Sequence, residues 1–137
     1  MDRILPRLYL GAFDDVPVCD PTPITHVFSL CERAPETFLP VTHHPIPDEA
    51  WLSPRIWRER LATLDALIIN GEHVLVHCRL GVSRSPALVA AYLLYAGHYT
   101  TLEVALAHVK SLRACVQVHP ETWRGVTEWH SLRQTPS

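Results

Sequence analysis

The segment Val74–Leu94, VLVHCRLGVSRSPALVAAYLL, joins two apolar runs through a short polar loop. The first run, rich in valine and leucine, predicts a buried strand. The second starts at Ser85-Pro86, a typical first turn of a helix, and predicts a helix that continues to about residue 96. Cys78 and Arg84 lie at the two ends of the loop, with only five residues between them. A chain that turns from strand to helix in so few residues directs several backbone groups at one point.

Strand and helix patterns alternate along the rest of the chain, with frequent prolines between them. The strand candidates are Leu8–Leu10, Ile24–Leu30, a weaker Val41–Ile46 and His73–His77. One helix is predicted from Ser53-Pro54 to Gly71 and a second from Ser85-Pro86 to Gly97. Two more are predicted to start at the capping box Thr100-x-x-Glu103 and at Pro120. This order predicts an α/β fold: a single domain over residues 1–137, with a central, mostly parallel sheet of four to five strands flanked by helices. Ligands of such sheets bind where strands end and helices begin, which makes the loop that starts at Cys78 the candidate site.

The composition fits one globular domain and limits its partners. Of the 137 residues, 47% are hydrophobic and 19% are charged, and the formal net charge is −2. Without a basic excess we expect no nucleic-acid partner, and without a long apolar run we expect no signal peptide and no membrane partner. The four cysteines form no Cys-x-x-Cys pair, and the nine histidines show no metal-ligand spacing. The sequence therefore predicts a reduced, cytoplasmic, monomeric protein without metal or cofactor.

The loop has the features of an anion-binding site. A tight turn directs successive amide N–H groups to one side, and the following helix adds its free N–H groups and the positive end of its dipole. Gly81 suits a position of positive φ or of close approach to an anion, and the guanidinium of Arg84 offers two parallel donors to phosphate oxygens. The predicted phosphate-binding residues are Arg79, Leu80, Gly81, Val82, Ser83 and Arg84. We therefore expect the loop to bind a tetrahedral oxyanion.

Cys78 lies where this loop begins, and the same positive potential favours its thiolate over its thiol. An ionised sulfur beneath a bound phosphate is a nucleophile; Ser85 can donate a hydrogen bond to it, and His77 can hold the loop by hydrogen bonding. Taken singly, each residue type has an ordinary explanation, such as a buried cysteine, a helix cap or a solvated arginine. Their combination in one loop between a strand and a helix favours catalysis.

The sequence HCRLGVSRS resembles the signature His-Cys-x-x-Gly-x-x-Arg-Ser/Thr of the cysteine-dependent protein tyrosine phosphatases, and it is most similar to that of the small dual-specificity phosphatases. The resemblance extends along nearly the whole chain, through ILPRLYLG, ITHVFSL and IPDEAWLS, with HPETW as a looser match. It implies a protein tyrosine phosphatase-like fold. It also implies a phosphocysteine mechanism that uses no metal, and a phosphorylated protein or peptide as the substrate.

Cleavage of a phosphate ester needs a proton for the departing oxygen, and the cysteine loop has no group that supplies it. Asp48 lies in a proline-rich loop 30 residues before Cys78. The resemblance implies that this loop carries the general acid, so Asp48 is the predicted catalytic carboxyl. Glu49 is adjacent and is the nearest competing candidate.

Several alternatives stay open from the sequence. Arg79 and Leu80 depart from common usage in the family, and Arg79 either faces the surface or reaches the rim of the site. The substrate is phosphotyrosine together with phosphoserine and phosphothreonine or, alternatively, a non-protein phosphate such as an RNA 5′-phosphate, a phosphoinositide or a sugar. A non-catalytic phosphate-binding module and another Cys-x5-Arg enzyme, such as an arsenate reductase or a sulfurtransferase, are further possibilities. Cys31 is either an ordinary core residue or the partner of Cys78 in a disulfide formed on oxidation.

Overall fold

Five strands form one sheet at the centre of this computed structural model, which describes residues 1–18 and 22–134. In chain order the strands are β1 (Asp2–Leu5), β2 (Leu8–Ala12), β3 (His26–Ser29), β4 (Val41–His43) and β5 (Val74–Cys78). Across the sheet they run in the order β1-β2-β5-β3-β4, where β1 pairs antiparallel with β2 and all other pairs are parallel. The predicted α/β fold with a mostly parallel sheet is confirmed. Strand β1, which forms a tight hairpin with β2, was not predicted.

Four helices complete the fold. They are α1 (Pro54–Ile69), α2 (Arg84–Tyr95), α3 (Leu102–Leu112) and α4 (Pro120–Gln134). Helix α2 contacts α1, α3 and α4 as well as β2 and β5, and each of its residues from Arg84 to Leu94 is buried. Its nearly continuous apolar sequence fits this position, because a helix covered on all sides has no polar face.

Strand β5 occupies the middle of the sheet between β2 and β3, and its side chains alternate between the two faces. Val74 and Val76 pack in the main core together with the helices, whereas Leu75 packs in a smaller cluster with Val27 on β3. The chain therefore delivers Cys78, at the end of β5, to the middle of the edge where the parallel strands end.

The helix boundaries agree with the predictions except at α3. Ser53 and Pro54 begin α1 as expected, and Gly71 and Gly97 follow the last turns of α1 and α2. The capping box predicted at Thr100 is wrong by one residue, because α3 begins at Leu102 and the hydroxyl of Thr101 accepts the N–H of Val104 (3.2 Å).

Candidate active site

The predicted loop lies between the end of β5 and the first turn of α2. Cys78 is only 3% exposed, and Arg84 and Ser85 are the first two residues of α2. The Sγ atom of Cys78 lies 3.0 Å from Oγ of Ser85 and 3.4 Å from its backbone nitrogen. A hydroxyl and an amide therefore both reach the sulfur at the positive end of a helix, and both stabilise negative charge on it.

Arg113, which directly follows α3, supports the loop from outside. Its Nε donates to the carbonyl of Gly81 (2.9 Å), its Nη2 to that of Leu80 (3.1 Å), and its Nη1 pairs with Asp2 (2.8 Å). Gly81 has a φ of +68°, and a Cβ there would lie 2.7 Å from the carbonyl oxygen of Gly11. The loop thus passes too close to β2 for any side chain at this position. Arg113 was missed by the sequence analysis, because its partners are far away along the chain.

The carbonyl groups of residues 79–82 all accept hydrogen bonds from outside the loop. Besides the two just described, the N–H of Phe13 donates to the carbonyl of Arg79 (3.0 Å) and the N–H of Gln117 to that of Val82 (2.8 Å). A trans peptide holds its C=O and N–H on opposite sides, so carbonyls that point outward leave the N–H groups of the following residues directed inward. The loop therefore presents a row of amide donors next to the sulfur, which is a cradle for a tetrahedral oxyanion.

Arg84 is 2% exposed and is fixed at one end of its guanidinium. Its Nη1 lies 3.4 Å from the carbonyl oxygen of Leu30, 3.1 Å from that of Ile46 and 2.7 Å from Oε1 of Glu32. Its Nε lies 3.6 Å from Oδ1 of Asp48. Because Nη1 is held by the protein, the edge formed by Nε and Nη2 is the one that can meet two phosphate oxygens.

Glu32 was not predicted as a site residue. A hydrogen bond from its own backbone N–H and the nearby charge of Arg84 lower the pKa of its carboxyl, which keeps the ion pair charged at neutral pH. Its position gave a usable signal, since it lies just beyond the end of β3, the strand next to β5. A carboxylate at that end of a central strand can reach a cation in the neighbouring loop.

His77 lies beneath the loop and is fully buried. Its Nδ1 donates to the carbonyl of Cys78 (3.2 Å), and the ring of Phe13 meets it edge-on at a centroid distance of 5.7 Å. Burial lowers the pKa of this imidazole, so the ring is neutral at neutral pH. The hydrogen bond expected of His77 is therefore present, and it fixes the peptide that carries the nucleophile.

Asp48 reaches the same pocket from a different element, the loop between β4 and α1. Its side chain is 52% exposed, and Oδ1 accepts the N–H of Glu49 (3.0 Å) in addition to facing Nε of Arg84. Glu49 has a φ of +54°, a left-handed conformation that is uncommon for residues other than glycine. The carboxyl of Asp48 thus lies beside Arg84 in the pocket, and Glu49 also lines the cavity.

The cavity over the sulfur has a volume of about 470 Å³. Its lining comprises Asp48, Glu49, Cys78, Arg79, Leu80, Val82, Ser83, Arg84, Gln117, Val118, His119 and Pro120. Residues 117–120 form its far wall and were not predicted as site residues. They are tied to the loop by the bond from Gln117 and by the N–H of His119, which donates to Oγ of Ser83 (2.9 Å).

Arg79 and Leu80, the two unusual residues of the motif, are exposed at the rim. Both line the main cavity and also a second cavity of about 550 Å³, whose other walls include Phe13 and Arg33. Arg79 thus lies at the border of the two cavities. Its role toward a substrate stays a prediction.

Cys31 is buried just after β3, with its Sγ 3.9 Å from Nδ1 of His77. Burial raises the pKa of its thiol to about 11, so it is protonated at neutral pH. Cys31, Cys78 and Cys115 are free thiols, and Cys19 lies outside the described residues. A disulfide between Cys31 and Cys78 stays a prediction.

Within residues 1–18 and 22–134, no group of three or more histidine, cysteine or acidic side chains is arranged to hold a metal ion. No helix in the same described part of the chain is long and apolar enough to cross a bilayer.

A family model described as the dual specificity phosphatase catalytic domain matches residues 8–132. This chain belongs to that family. Human protein phosphatase Slingshot homolog 3 is 35% identical over 127 residues, which cover 86% of this chain and 19% of that protein. Human dual specificity protein phosphatase 22 is 32% identical over 144 residues, which cover 98% of this chain and 77% of that protein. The phosphatase domain thus spans roughly a fifth of the length of the Slingshot relatives that it matches.

Solved structures show the same fold. The crystal structure of human DUSP28 superimposes with a TM-score of 0.87 at 23% identity, over 98% of both chains. That of human tyrosine phosphatase-like serine/threonine/tyrosine-interacting protein gives a TM-score of 0.86 at 23% identity, again over 98% of both chains. At this identity the likeness concerns the fold alone, and it confirms the predicted protein tyrosine phosphatase-like architecture.

Proposed function

We propose that this phosphatase domain hydrolyses phosphotyrosine, phosphoserine and phosphothreonine in proteins through a phosphocysteine intermediate. The observation that carries the proposal is the position of the Cys78 sulfur. It lies at the base of a loop whose amides point inward, and Arg84 and Asp48 line the same cavity. Membership of the dual-specificity phosphatase family and the protein-phosphatase names of the relatives support protein substrates over the alternatives.

The first step is binding of the phosphate dianion. The inward N–H groups of residues 80–83 and the first turn of α2 bind its oxygens, and the Nε–Nη2 edge of Arg84 adds two parallel donors. The charged Glu32 on Nη1 holds the guanidinium in register with the loop. Phosphorus is then placed directly over the sulfur of Cys78.

In the second step the thiolate attacks phosphorus in line with the departing oxygen. The S–P bond forms as the P–O bond to the substrate breaks, and the carboxyl of Asp48 gives its proton to the departing oxygen. The amides and Arg84 stabilise the charge on the equatorial oxygens more strongly in the transition state than in the ground state.

In the third step water hydrolyses the phosphocysteine. Asp48, now a carboxylate, accepts a proton from the water as the oxygen attacks phosphorus and the S–P bond breaks. The sulfur leaves as a thiolate, and the hydroxyl of Ser85, 3.0 Å away, stabilises it by hydrogen bonding. The products are inorganic phosphate and the free enzyme.

The proposal includes a setting for the reaction. A catalytic thiol needs a reducing compartment to stay reduced, which supports the cytoplasm as the place of action. Cys78, Arg84 and Asp48 line a single cavity, which supports residues 1–137 as one catalytic unit, and we further propose that this unit acts as a monomer.

The test is turnover of an aryl phosphate in the presence of EDTA by the wild type and two variants. Cys78→Ser should bind inorganic phosphate yet lose all measurable turnover, and Asp48→Asn should lose about 10²-fold in kcat. Cys115→Ser, which changes an exposed thiol outside the cavity, is the matched control and should keep wild-type activity. Turnover by Cys78→Ser at the wild-type rate would refute the nucleophile.

Phosphopeptides then test the substrate class. Matched peptides that carry phosphotyrosine or phosphothreonine in one sequence should both be hydrolysed, as membership of the dual-specificity family leads us to expect. Hydrolysis of a phosphoinositide or an RNA 5′-phosphate with much larger kcat/KM than either peptide would overturn the assignment to protein substrates.

A further inference from the structure

The loop that carries Asp48 has few contacts of its own. Ile46 is 2% exposed and fixes its start, but residues 47–49 are exposed, and Glu49 adopts a left-handed conformation. No secondary-structure element includes residues 47–52. Such a segment holds a carboxyl in one position only if another residue of the same loop is attached to the rest of the fold.

That attachment is Trp51, three residues after Asp48. Its indole Nε1 donates to Oε2 of Glu128 (2.7 Å), and Cζ of Arg124 lies 5.4 Å from the centre of its ring. Nη1 of Arg124 in turn pairs with Oε1 of Glu128 (3.2 Å). We call Trp51, Arg124 and Glu128 the α4 latch. It joins the acid loop to the outer face of α4.

The backbone next to the latch also packs on α4. Gly125 is buried, and a Cβ there would lie only 2.6 Å from the carbonyl oxygen of Leu52 and 2.7 Å from Nε1 of Trp57. The chain can approach the helix this closely only because residue 125 is a glycine. The acid loop is therefore held on α4 at two adjacent points, one through a side chain and one through the backbone.

We infer that Trp51 is a positioning residue for the general acid: by binding to α4 it keeps the Asp48 loop over the cavity. The inference rests on the proposed function, in which Asp48 protonates the departing oxygen. Trp51 does not line the cavity over the sulfur, so its effect passes through the loop. A misplaced acid slows only those reactions whose leaving group needs a proton.

This dependence on the leaving group separates positioning from a purely structural role. Phenyl phosphate has a basic leaving group, like tyrosine, whereas 2,4-dinitrophenyl phosphate has one that departs without protonation. Trp51→Ala should lower kcat on phenyl phosphate by about tenfold and leave kcat on the dinitrophenyl ester within about twofold. Trp51→Phe, which keeps the ring over Arg124 but loses the N–H, should show a smaller drop in the same direction.

Three companion variants complete the test. Phe38→Ala removes another exposed aromatic side chain outside the cavity and should change neither rate. Glu128→Ala removes the partner of the indole from α4 and should repeat the pattern of Trp51→Phe, which keeps the inference testable if Trp51→Ala folds poorly. Asp48→Asn should show the largest dependence on the leaving group.

The outcomes are distinguishable. Suppose that Asp48→Asn shows the expected dependence of kcat on the leaving group. Equal losses on both esters in Trp51→Ala and Glu128→Ala, or no loss on either, would then overturn the latch and leave the proposed function standing. A lack of dependence in Asp48→Asn would overturn the acid assignment itself, and the latch with it.

Discussion

The two walls of the cavity are built in opposite ways. One wall, here called the cysteine wall, consists of β5, residues 79–83 and the first turn of α2, and it is continuous with the core. Strand β5 is buried along its whole length, α2 is buried from Arg84 to Leu94, and each outward carbonyl of the loop accepts a hydrogen bond. The other, here called the acid wall, consists of residues 47–52 and lies on the surface. Asp48 is half exposed there, and the α4 latch that holds it consists of partly exposed side chains. Nucleophile and anion site are thus fixed by folding itself, whereas the acid depends on a few local contacts.

This difference follows from the chemistry that each wall performs. Stabilisation of a developing charge requires donors that do not reorganise, which favours a rigid loop. Proton transfer requires a carboxyl that the leaving group of the substrate can contact and from which the product can then dissociate, which favours a surface loop. Changes to the cysteine wall should therefore affect both stability and activity, and changes to the acid wall should affect activity alone.

Apart from loss of the nucleophile itself, the largest effect is expected at Arg84, where the two walls meet. Arg84→Lys keeps a positive charge but loses the planar pair of donors, so kcat/KM should fall about 10³-fold. The carbonyls of Leu30 and Ile46 also lose well-placed donors, so we expect about 1–3 kcal/mol of destabilisation. Steady-state kinetics and urea unfolding measure the two effects. A variant with wild-type kcat/KM would show that a point charge suffices and that the bidentate geometry is unimportant.

Gly81→Ala tests the rigidity of the cysteine wall. The added Cβ would lie 2.7 Å from the carbonyl oxygen of Gly11 at a φ of +68°, so the loop must move away from β2. We expect a loss of about 2–3 kcal/mol in the free energy of unfolding, together with weaker protection of the protein by inorganic phosphate. Thermal melts with and without phosphate provide the measurement, and an undiminished phosphate shift would contradict the proposed cradle.

Acid should lower the stability of the domain that holds both walls. Burial lowers the pKa of His77, and also of His26 and His44, below the ordinary value of 6.5. The unfolded chain then binds more protons than the folded chain, so stability falls as the pH drops below about 6.5 toward the folded pKa values. Urea midpoints should be lower at pH 5.5 than at pH 7.5. His44→Gln should reduce that difference, and an equal or larger difference would contradict the linkage.

The smallest effect is expected at Glu49, the left-handed residue of the acid wall. Glu49→Gly relieves an unfavourable φ but adds freedom to the unfolded chain, so the free energy of unfolding should stay within about 0.5 kcal/mol of the wild type. Gly81 and Glu49 share a backbone conformation, and only the first is enclosed by the fold. A destabilisation at Glu49 as large as that of Gly81→Ala would show that the acid wall is as rigid as the cysteine wall.

The parts of the site that the sequence predicts are those formed by contiguous residues, and the parts that it does not predict are assembled from distant segments. The strand, loop and helix around Cys78 are contiguous, so local pattern and spacing identify the sulfur, Arg84 and Ser85. Arg113 joins the site only through the tertiary fold and no local pattern marks it, whereas the place of Glu32 just beyond β3 is a signal that becomes useful only once β3 is known to lie next to β5. The predicted cap was one residue too early because Thr100 and Thr101 carry the same side chain, and in the structure it is Thr101 that accepts the N–H of Val104.

The burial of α2 from Arg84 to Leu94 has a consequence for how long the site stays formed. Amide hydrogens on a helix enclosed by other elements exchange with solvent only in molecules that have opened globally, so those of residues 88–95 should be among the slowest to exchange in deuterium oxide. The helix that presents its first turn to phosphate thus cannot fray independently of the domain. A substitution anywhere in the domain that changes the free energy of unfolding therefore also changes the fraction of molecules in which the anion cradle is formed.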